Sequence, residues 1–286
     1  MFKEALREVR NRFESAGISP VDAELLAAFV LGVNRMELHA KEFQFSPEQS
    51  VEFADLVAQR ISGTPLQYLT GSAPFRYLEF DVGPGVLVPR PETELLVDAA
   101  LVEIERIQSS PNYKPGDRTS VVDLGAGSGA IAISIADEAR RRGLSVQVVA
   151  VEREPDAITW LERNIAKHEV DIRVIKSDVQ DALSGVRSDL VIANPPYIPF
   201  EAELPKDVID FEPRAALFGG KTGLEEPLKF IAAATRILKP GGFLALEHHE
   251  TQGEQLEAAL VDDYLEIARF QDLVGRPRWI SARRRG

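Results

Sequence analysis

The chain has 286 residues, 44% of them hydrophobic, which is enough for one large domain and a smaller one with buried cores. It contains no cysteine, which excludes disulfides, thiolate metal sites and a cysteine nucleophile. The formal net charge of −12 argues against binding to nucleic-acid phosphates, because such binding needs a basic surface.

Neither a secretory signal nor a membrane span is predicted. Charged residues interrupt the N-terminus from Lys3 onward, where a signal would need a continuous apolar stretch. No run approaches the roughly 18 apolar residues that a membrane helix requires. We therefore expect a cytoplasmic protein that does not contact a membrane.

The N-terminal part of the chain shows helical periodicity. Helices are predicted at residues 2–16, 20–31 and 47–61, and the last two begin at a Ser-Pro pair. These segments predict a small helical domain at residues 1–73.

A change of pattern follows this helical part. Residues 74–89 contain short aromatic and β-branched segments around Gly83, Pro84 and Gly85, a composition that predicts a β-hairpin. The hairpin is expected to form a linker at residues 74–90, followed by a larger domain at residues 91–286.

Apolar runs alternate with helical patterns in the larger domain, after a helix at residues 91–107 and a polar loop at residues 109–119. The apolar runs lie at residues 121–124, 146–151, 172–175, 190–193 and 243–246, and the helical patterns at residues 130–141, 155–167 and 225–238. This alternation predicts an α/β fold with a mostly parallel sheet and helices on both faces. Two more strands, at residues 264–270 and 278–282, complete the predicted sheet.

A glycine-rich loop follows the first apolar run. It consists of Gly125, Ala126, Gly127, Ser128 and Gly129, and a helix begins directly after it. Glycines let the backbone turn sharply and approach a ligand closely. Sites for NAD, FAD and S-adenosylmethionine all use such loops, and some matches are only tight turns.

The residues around the loop favour one of these ligands. Glu152 ends the next apolar run, about 20 residues on, where an acid can accept hydrogen bonds from both ribose hydroxyls; the alternative is a solvent-facing acid. A dinucleotide site favours the spacing GxGxxG, whereas Gly129 comes one residue early and Ala130 takes the final position. Asp123 would also place a negative charge near a phosphate. A cationic ligand without phosphate, such as S-adenosylmethionine, therefore fits better.

A third strand end supplies a candidate adenine contact. Asp178 could accept a hydrogen bond from an adenine amino group, and Val179 could lie against the ring. The alternative for Asp178 is a turn or helix cap.

The fourth apolar run of the larger domain ends at Asn194, Pro195, Pro196 and Tyr197. Neither proline can donate a backbone hydrogen bond and each fixes its own φ, so the strand must stop here. A rigid row of carbonyl oxygens then stands beside the Asn194 amide and an aromatic ring. In a doubly wound sheet this turn lies beside the glycine loop, because ligands bind at the carboxyl ends of the strands. The alternative is a turn that only ends a strand.

This arrangement predicts a methyl acceptor with a planar NH₂ group. Hydrogen bonds to the Asn194 oxygen and the Pro195 carbonyl would aim the nitrogen lone pair at an activated methyl group. Tyr197 would stack on the acceptor and exclude water. No general base is required at the outset, because the proton becomes acidic only after transfer.

Three further segments resemble the HemK/PrmC family of release-factor glutamine methyltransferases. They are residues 63–71 (GTPLQYLTG), 86–94 (VLVPRPETE) and 212–217 (EPRAAL). The resemblance covers nearly the whole chain. It implies a Rossmann-like methyltransferase domain with a seven-stranded sheet and a helical N-terminal domain that binds the release factor. The implied reaction is N(5)-methylation, by S-adenosylmethionine, of the glutamine in the Gly-Gly-Gln loop of class-1 peptide chain release factors.

The resemblance also implies roles for individual residues. Donor contacts fall on the loop from Gly125 to Gly129 and on Glu152, Val179 and Asn194, and the glutamine lies against Asn194 to Tyr197. Glu152 replaces a frequent Asp, which preserves the role. Val179 replaces a frequent aromatic residue, so its adenine contact would be thinner. A monomer is expected.

Other features are less specific. Arg90, Glu92 and Thr93 open a helix near the cleft and could help to close it, or could simply cap the helix. His248 and His249 are adjacent, so on a strand they would point to opposite faces and could not easily share an ion; no metal site is expected. Two alternative functions are an adenine methyltransferase that acts on nucleic acid, disfavoured by the net charge, and a non-catalytic module that has kept the fold.

Overall fold

A computed structural model describes residues 2–286. Its helices are α1 (Phe2–Ser15), α2 (Val21–Leu31), α3 (Glu37–Ala40), α4 (Pro47–Ile61), α5 (Leu66–Thr70), α6 (Glu94–Gln108), α7 (Ala130–Arg141), α8 (Pro155–His168), α9 (Lys206–Ile209), α10 (Arg214–Leu217), α11 (Glu225–Ile237) and α12 (Gly253–Leu260). Its strands are β1 (Ser72–Phe75), β2 (Leu78–Asp81), β3 (Thr119–Leu124), β4 (Val146–Glu152), β5 (Ile172–Lys176), β6 (Ser188–Ala193), β7 (Ile198–Pro199), β8 (Phe218–Gly220), β9 (Leu238–Glu247), β10 (Tyr264–Gln271) and β11 (Pro277–Arg284).

The described residues divide into two compact units, of which the first runs up to Ser72 and includes Leu204–Phe211. Its core is apolar, with Phe13 and Leu26 fully buried. Helix α4 begins where the sequence predicts, because the Ser46 side chain accepts from the Gln49 amide while the Gln49 side chain accepts from the Ser46 amide. Helices α3 and α5 were not predicted, since each is too short to show a periodic apolar pattern.

The predicted hairpin exists, but its turn is not at the predicted place. Strands β1 and β2 pair with each other and are joined by Arg76 and Tyr77, with Arg76 in the left-handed region at a φ of 56°. The expectation that the turn lies at residues 83–85 is therefore wrong. Those residues follow β2 and pack against α8: a Cβ on Gly83 would lie 2.6 Å from the Trp160 ring. The glycine there is required by close packing and not by a hairpin turn.

The second unit contains Ala73–Glu203 and Glu212–Gly286. Among residues 2–286, seven strands form one sheet in the order β10, β11, β9, β6, β3, β4, β5. The pairs within β9, β6, β3, β4 and β5 are parallel, and β11 pairs with β9 and β10 in antiparallel fashion. The predicted mostly parallel sheet is confirmed. The chain order reverses between β3 and β6, and this is where doubly wound sheets bind ligands.

Helices cover both faces of this sheet. Alternate residues of the central strands, such as Val122 and Leu124, pack into one core with α11 and α12, while α7 contacts both α6 and α8 in a second layer. This arrangement confirms the predicted layers. Within the part of the chain that the structure describes, no helix is both long and apolar enough to cross a membrane.

Candidate active site

The glycine loop lies at the carboxyl end of β3, next to the point where the chain order reverses. Two of its glycines differ in their surroundings. A Cβ on Gly129 would lie 2.6 Å from Leu161 and 2.7 Å from Ile133, at a φ of 87°. A Cβ on Gly127 would meet no atom within 4 Å, at a φ of 56°. Gly129 is therefore required by packing, whereas Gly127 borders open space.

Glu152 ends β4 and holds this loop in place. One carboxylate oxygen accepts from the Gly127 amide at 2.8 Å, and the other accepts from the amides of Arg153 and Glu154 at 2.7 and 2.9 Å. The side chain is nearly buried and also borders a cavity. The alternative of a solvent-facing acid is wrong. The predicted ribose contact stays a prediction.

Asp123 points in a different direction from the one expected. Its carboxylate accepts from the Ala132 amide at 3.0 Å, in the first turn of α7, and the side chain is fully buried. Burial, together with the nearby charge of Glu152, raises the pKa of Asp123 to about 7. The sequence argument that set this charge beside a phosphate is therefore wrong, and the side chain supports the loop from behind.

Asp178 follows β5 and borders the same cavity. It accepts from the Gln180 amide at 2.9 Å, which is the turn role considered for it, and from the Arg153 guanidinium at 2.8 Å. Burial opposes ionisation, but these two hydrogen bonds and the positive charges of Arg153 and Lys229 together lower the pKa of Asp178. Val179 is buried and borders the cavity as well.

The cavity brings together most of the residues that the sequence singled out. Those that line it are Gly125, Gly127, Glu152, Asp178, Val179, Asn194 and Pro196. The others are not among the lining residues: Ala126, Ser128, Gly129 and Pro195 are buried, and Tyr197 is partly buried. The glycine loop and the Asn-Pro-Pro-Tyr turn therefore meet at one cavity, as expected from their strand ends.

The Asn194 side chain is held by Thr93, which lies directly before α6. Its amide nitrogen donates to the Thr93 hydroxyl at 3.0 Å, and that hydroxyl donates to a Glu247 oxygen at 2.7 Å. The other Glu247 oxygen accepts from the Tyr197 hydroxyl at 3.1 Å. One carboxylate thus connects both polar ends of the Asn-Pro-Pro-Tyr turn.

Sequence reasoning missed Glu247, because its place beside Asn194 depends on how two strands pair. The residue ends β9, and Leu246 pairs with Ala193 of β6, so Glu247 lies level with Asn194. Burial raises the pKa of Glu247 to about 7, and Glu92 adds to this effect. The hydrogen bonds from Thr93 and Tyr197 and the positive charge of Arg278 lower it.

Comparison with known proteins shows the family to which the chain belongs. The chain matches the model of the PrmC N-terminal domain at residues 4–71 and that of the methyltransferase small domain at residues 105–209. It is 39% identical to the release factor glutamine methyltransferase of Streptomyces coelicolor, over 97% of this chain and 96% of that one. It is 35% identical to the protein of that name from Salmonella typhimurium, over 97% of this chain and 96% of that one. The chain belongs to the release factor glutamine methyltransferase family.

A solved structure supports the fold of the methyltransferase domain. A 16S rRNA methyltransferase from T. thermophilus, solved with AdoMet and guanosine, is 23% identical and superposes with a TM-score of 0.50. The match covers 75% of this chain and 50% of that chain, and it concerns the fold alone. The resemblance inferred from the sequence motifs is confirmed by the relatives of this family.

Two of the segments that indicated the release factor glutamine methyltransferase family meet in an ion pair. The Arg90 guanidinium donates to both Glu212 oxygens, at 2.7 and 2.8 Å, and the Glu212 side chain is 2% exposed. Residues beside each partner, including Leu87 and Pro213, line the cavity. The ion pair therefore joins two walls of the cavity. Thr93 caps no backbone amide at the start of α6, so its alternative role as a helix cap is wrong.

The adjacent residues His248 and His249 do not lie on a strand. They follow β9, and the buried His248 ring contacts the His249 carbonyl oxygen at 2.7 Å. Among the described residues, no group of three or more His, Asp or Glu side chains could hold a metal ion.

Proposed function

We propose that this chain transfers the methyl group of S-adenosylmethionine to the side-chain amide nitrogen of the glutamine in the Gly-Gly-Gln loop of class-1 release factors. The orientation of the Asn194 amide carries this proposal. Because its nitrogen donates to Thr93, its oxygen is left as an acceptor at a cavity that the glycine loop also borders. Within residues 2–286 no hydrogen bond to that oxygen is found. An acceptor oxygen suits a substrate that presents an NH₂ group.

The cavity suits a donor that carries a positive charge and no phosphate. Acidic side chains border it, among them Glu152, Glu154 and Asp178, and Gly127 leaves room for a ligand beside the backbone. When bound, S-adenosylmethionine supplies a methyl group that its sulfonium already activates. We assign its amino-acid part to the loop from Gly125 to Gly129, its ribose to Glu152 and its adenine to Asp178 and Val179.

On the acceptor side of the site, the orientation of the amide nitrogen matters more than acid-base catalysis. An amide nitrogen is a poor nucleophile because its lone pair is delocalised. Hydrogen bonds from its two N–H groups to the Asn194 oxygen and the Pro195 carbonyl favour the form in which the lone pair is free to attack. Pro196 borders the cavity next to them. The Tyr197 hydroxyl is fixed by Glu247, so its ring can serve as a rigid wall for the planar acceptor group.

The proposal assigns a role to each part of the chain. Residues 1–73 form a helical domain that binds the release factor, and residues 91–286 form the methyltransferase domain. Residues 74–90 link the two and begin within the β1–β2 hairpin. The match to the PrmC N-terminal domain supports the first assignment. The net charge of −12 supports a protein substrate over a nucleic acid. A monomeric, cytoplasmic enzyme completes the proposal.

The test is incubation of the protein with S-adenosylmethionine labelled in its methyl group and one of two acceptors. The proposal expects label on a class-1 release factor and none on adenine-containing DNA. Label on the DNA alone would favour the adenine methyltransferase, and label on neither acceptor would favour a non-catalytic module. A release factor whose loop glutamine is replaced by alanine is the matched control, and it should stay unlabelled.

A further inference from the structure

Glu247 is a buried carboxylate that contacts the acceptor site only through hydroxyl groups. It lies at the end of β9 and is fully buried. Its two oxygens accept from different residues, Thr93 at 2.7 Å and Tyr197 at 3.1 Å. Burying a carboxylate is costly, so a well-packed protein keeps one where the charge has a use or is fully paired.

The hydrogen bonds around Glu247 fix the direction of a short chain of groups. An ionised carboxylate only accepts hydrogen bonds, so the Thr93 hydroxyl must donate its one hydrogen to Glu247. That hydroxyl can then only accept from Asn194, which turns the Asn194 nitrogen toward Thr93 and leaves the amide oxygen for a ligand. The Tyr197 hydroxyl is fixed in the same way.

We propose that Glu247 is a positioning residue for methyl transfer: its carboxylate sets the direction of the Thr93 hydroxyl and, through it, presents the Asn194 oxygen to the acceptor nitrogen. This role rests on the proposed function. Glu247 does not touch either substrate and forms no covalent bond. A neutral side chain of the same shape would reverse one of the two hydroxyl groups, because one of its two polar atoms would carry hydrogen.

The surroundings of Glu247 make its charge sensitive to pH. Burial raises its pKa to about 7. The groups that act on it from neighbouring elements are Glu92, which opposes ionisation, and Arg278 of β11, which favours it. His248, the next residue, has a pKa lowered by burial. We therefore expect the transfer rate at saturating donor and acceptor to rise about tenfold per pH unit below pH 7 and to level off above it.

The first test is Glu247→Gln, which keeps the shape of the side chain and removes the charge. Single-turnover transfer from S-adenosylmethionine to a class-1 release factor should slow by roughly 10- to 100-fold. The dissociation constant for S-adenosylmethionine should change by less than about threefold. The pH dependence should also flatten. Asp123→Asn is the matched control, since it neutralises another buried carboxyl with a pKa of about 7, and it should keep the pH dependence of the rate.

A second variant tests the route through Thr93. Thr93→Val removes the hydroxyl that links Glu247 to Asn194. If that route operates, adding Glu247→Gln to Thr93→Val should slow transfer far less than Glu247→Gln slows the wild type. If the fold reductions in transfer rate of the two single variants multiply in the double variant, the proposal is overturned.

The remaining outcomes separate the two proposals. If the wild-type protein and the Glu247→Gln variant transfer methyl groups to the release factor equally fast, the positioning role alone is overturned. A wild-type protein that binds S-adenosylmethionine but leaves the release factor unlabelled overturns the proposed function, and the positioning role with it.

Discussion

Substitution by alanine should affect different properties at two glycines of the same loop. Gly129→Ala places a methyl group 2.6 Å from Leu161 and 2.7 Å from Ile133, inside the packed second unit. Gly127→Ala places it where no atom lies within 4 Å, at the border of the cavity. Gly129→Ala should therefore destabilise the fold, and Gly127→Ala should instead weaken donor binding.

The structure sets the size of each effect. Both positions have positive φ, so alanine at either costs about 1–2 kcal/mol of backbone strain. At Gly129 the overpacking adds about 1–3 kcal/mol, which brings the total loss of unfolding free energy to about 2–5 kcal/mol. At Gly127 only the strain remains. A methyl group in the donor's space should raise the dissociation constant for S-adenosylmethionine at least about tenfold, which corresponds to about 1.4 kcal/mol.

Both quantities can be measured on the same samples. The chain has two tryptophans, Trp160 and Trp279, and both belong to the second unit, so urea unfolding followed by fluorescence reports on that unit. Isothermal calorimetry gives the donor affinity. Equal loss of stability in the two variants, or normal donor binding by Gly127→Ala, would refute the distinction between a packing glycine and a ligand-facing one.

Three further variants test other parts of the site. Asn194→Ala should slow transfer at least about 100-fold and change donor affinity by less than about threefold; near wild-type transfer would rule out the acceptor role. Glu152→Ala removes the acceptor of the Gly127 amide and should raise the donor dissociation constant about tenfold or more, whereas unchanged affinity in calorimetry would remove Glu152 from the ribose role. The raised pKa of Asp123 means that the folded state keeps this proton between about pH 4 and pH 7, so stability falls as pH rises through that window. Asp123→Asn should remove up to about 1.4 kcal/mol of that fall per pH unit, and an unchanged dependence in urea titrations would contradict the assignment.

The positions of the two main motifs could be predicted because they depend on chain order in a parallel sheet. Each motif directly follows an apolar strand, and parallel strands bring their carboxyl ends to one edge. The meeting of Gly127 and Asn194 at one cavity needed no further information. The family resemblance rested on longer motifs and is confirmed by the relatives.

Contacts between distant segments could not be read from local patterns. Glu247 is far from Thr93 in sequence, and the packing of α6 against β9 brings them together. The turn of the hairpin was misplaced because Gly83 suits a turn by composition but serves packing against Trp160. Asp123 was assigned by its closeness in sequence to the loop, while its direction depends on the first turn of α7.

Mass spectrometry of a class-1 release factor, after incubation with the protein and S-adenosylmethionine, is the most direct test of methyl transfer to the loop glutamine. We expect one added methyl group on the side-chain nitrogen of the Gly-Gly-Gln glutamine, and none when the Asn194→Ala variant is used. A methyl group on any other residue, or an equally modified glutamine with the variant, would contradict this expectation.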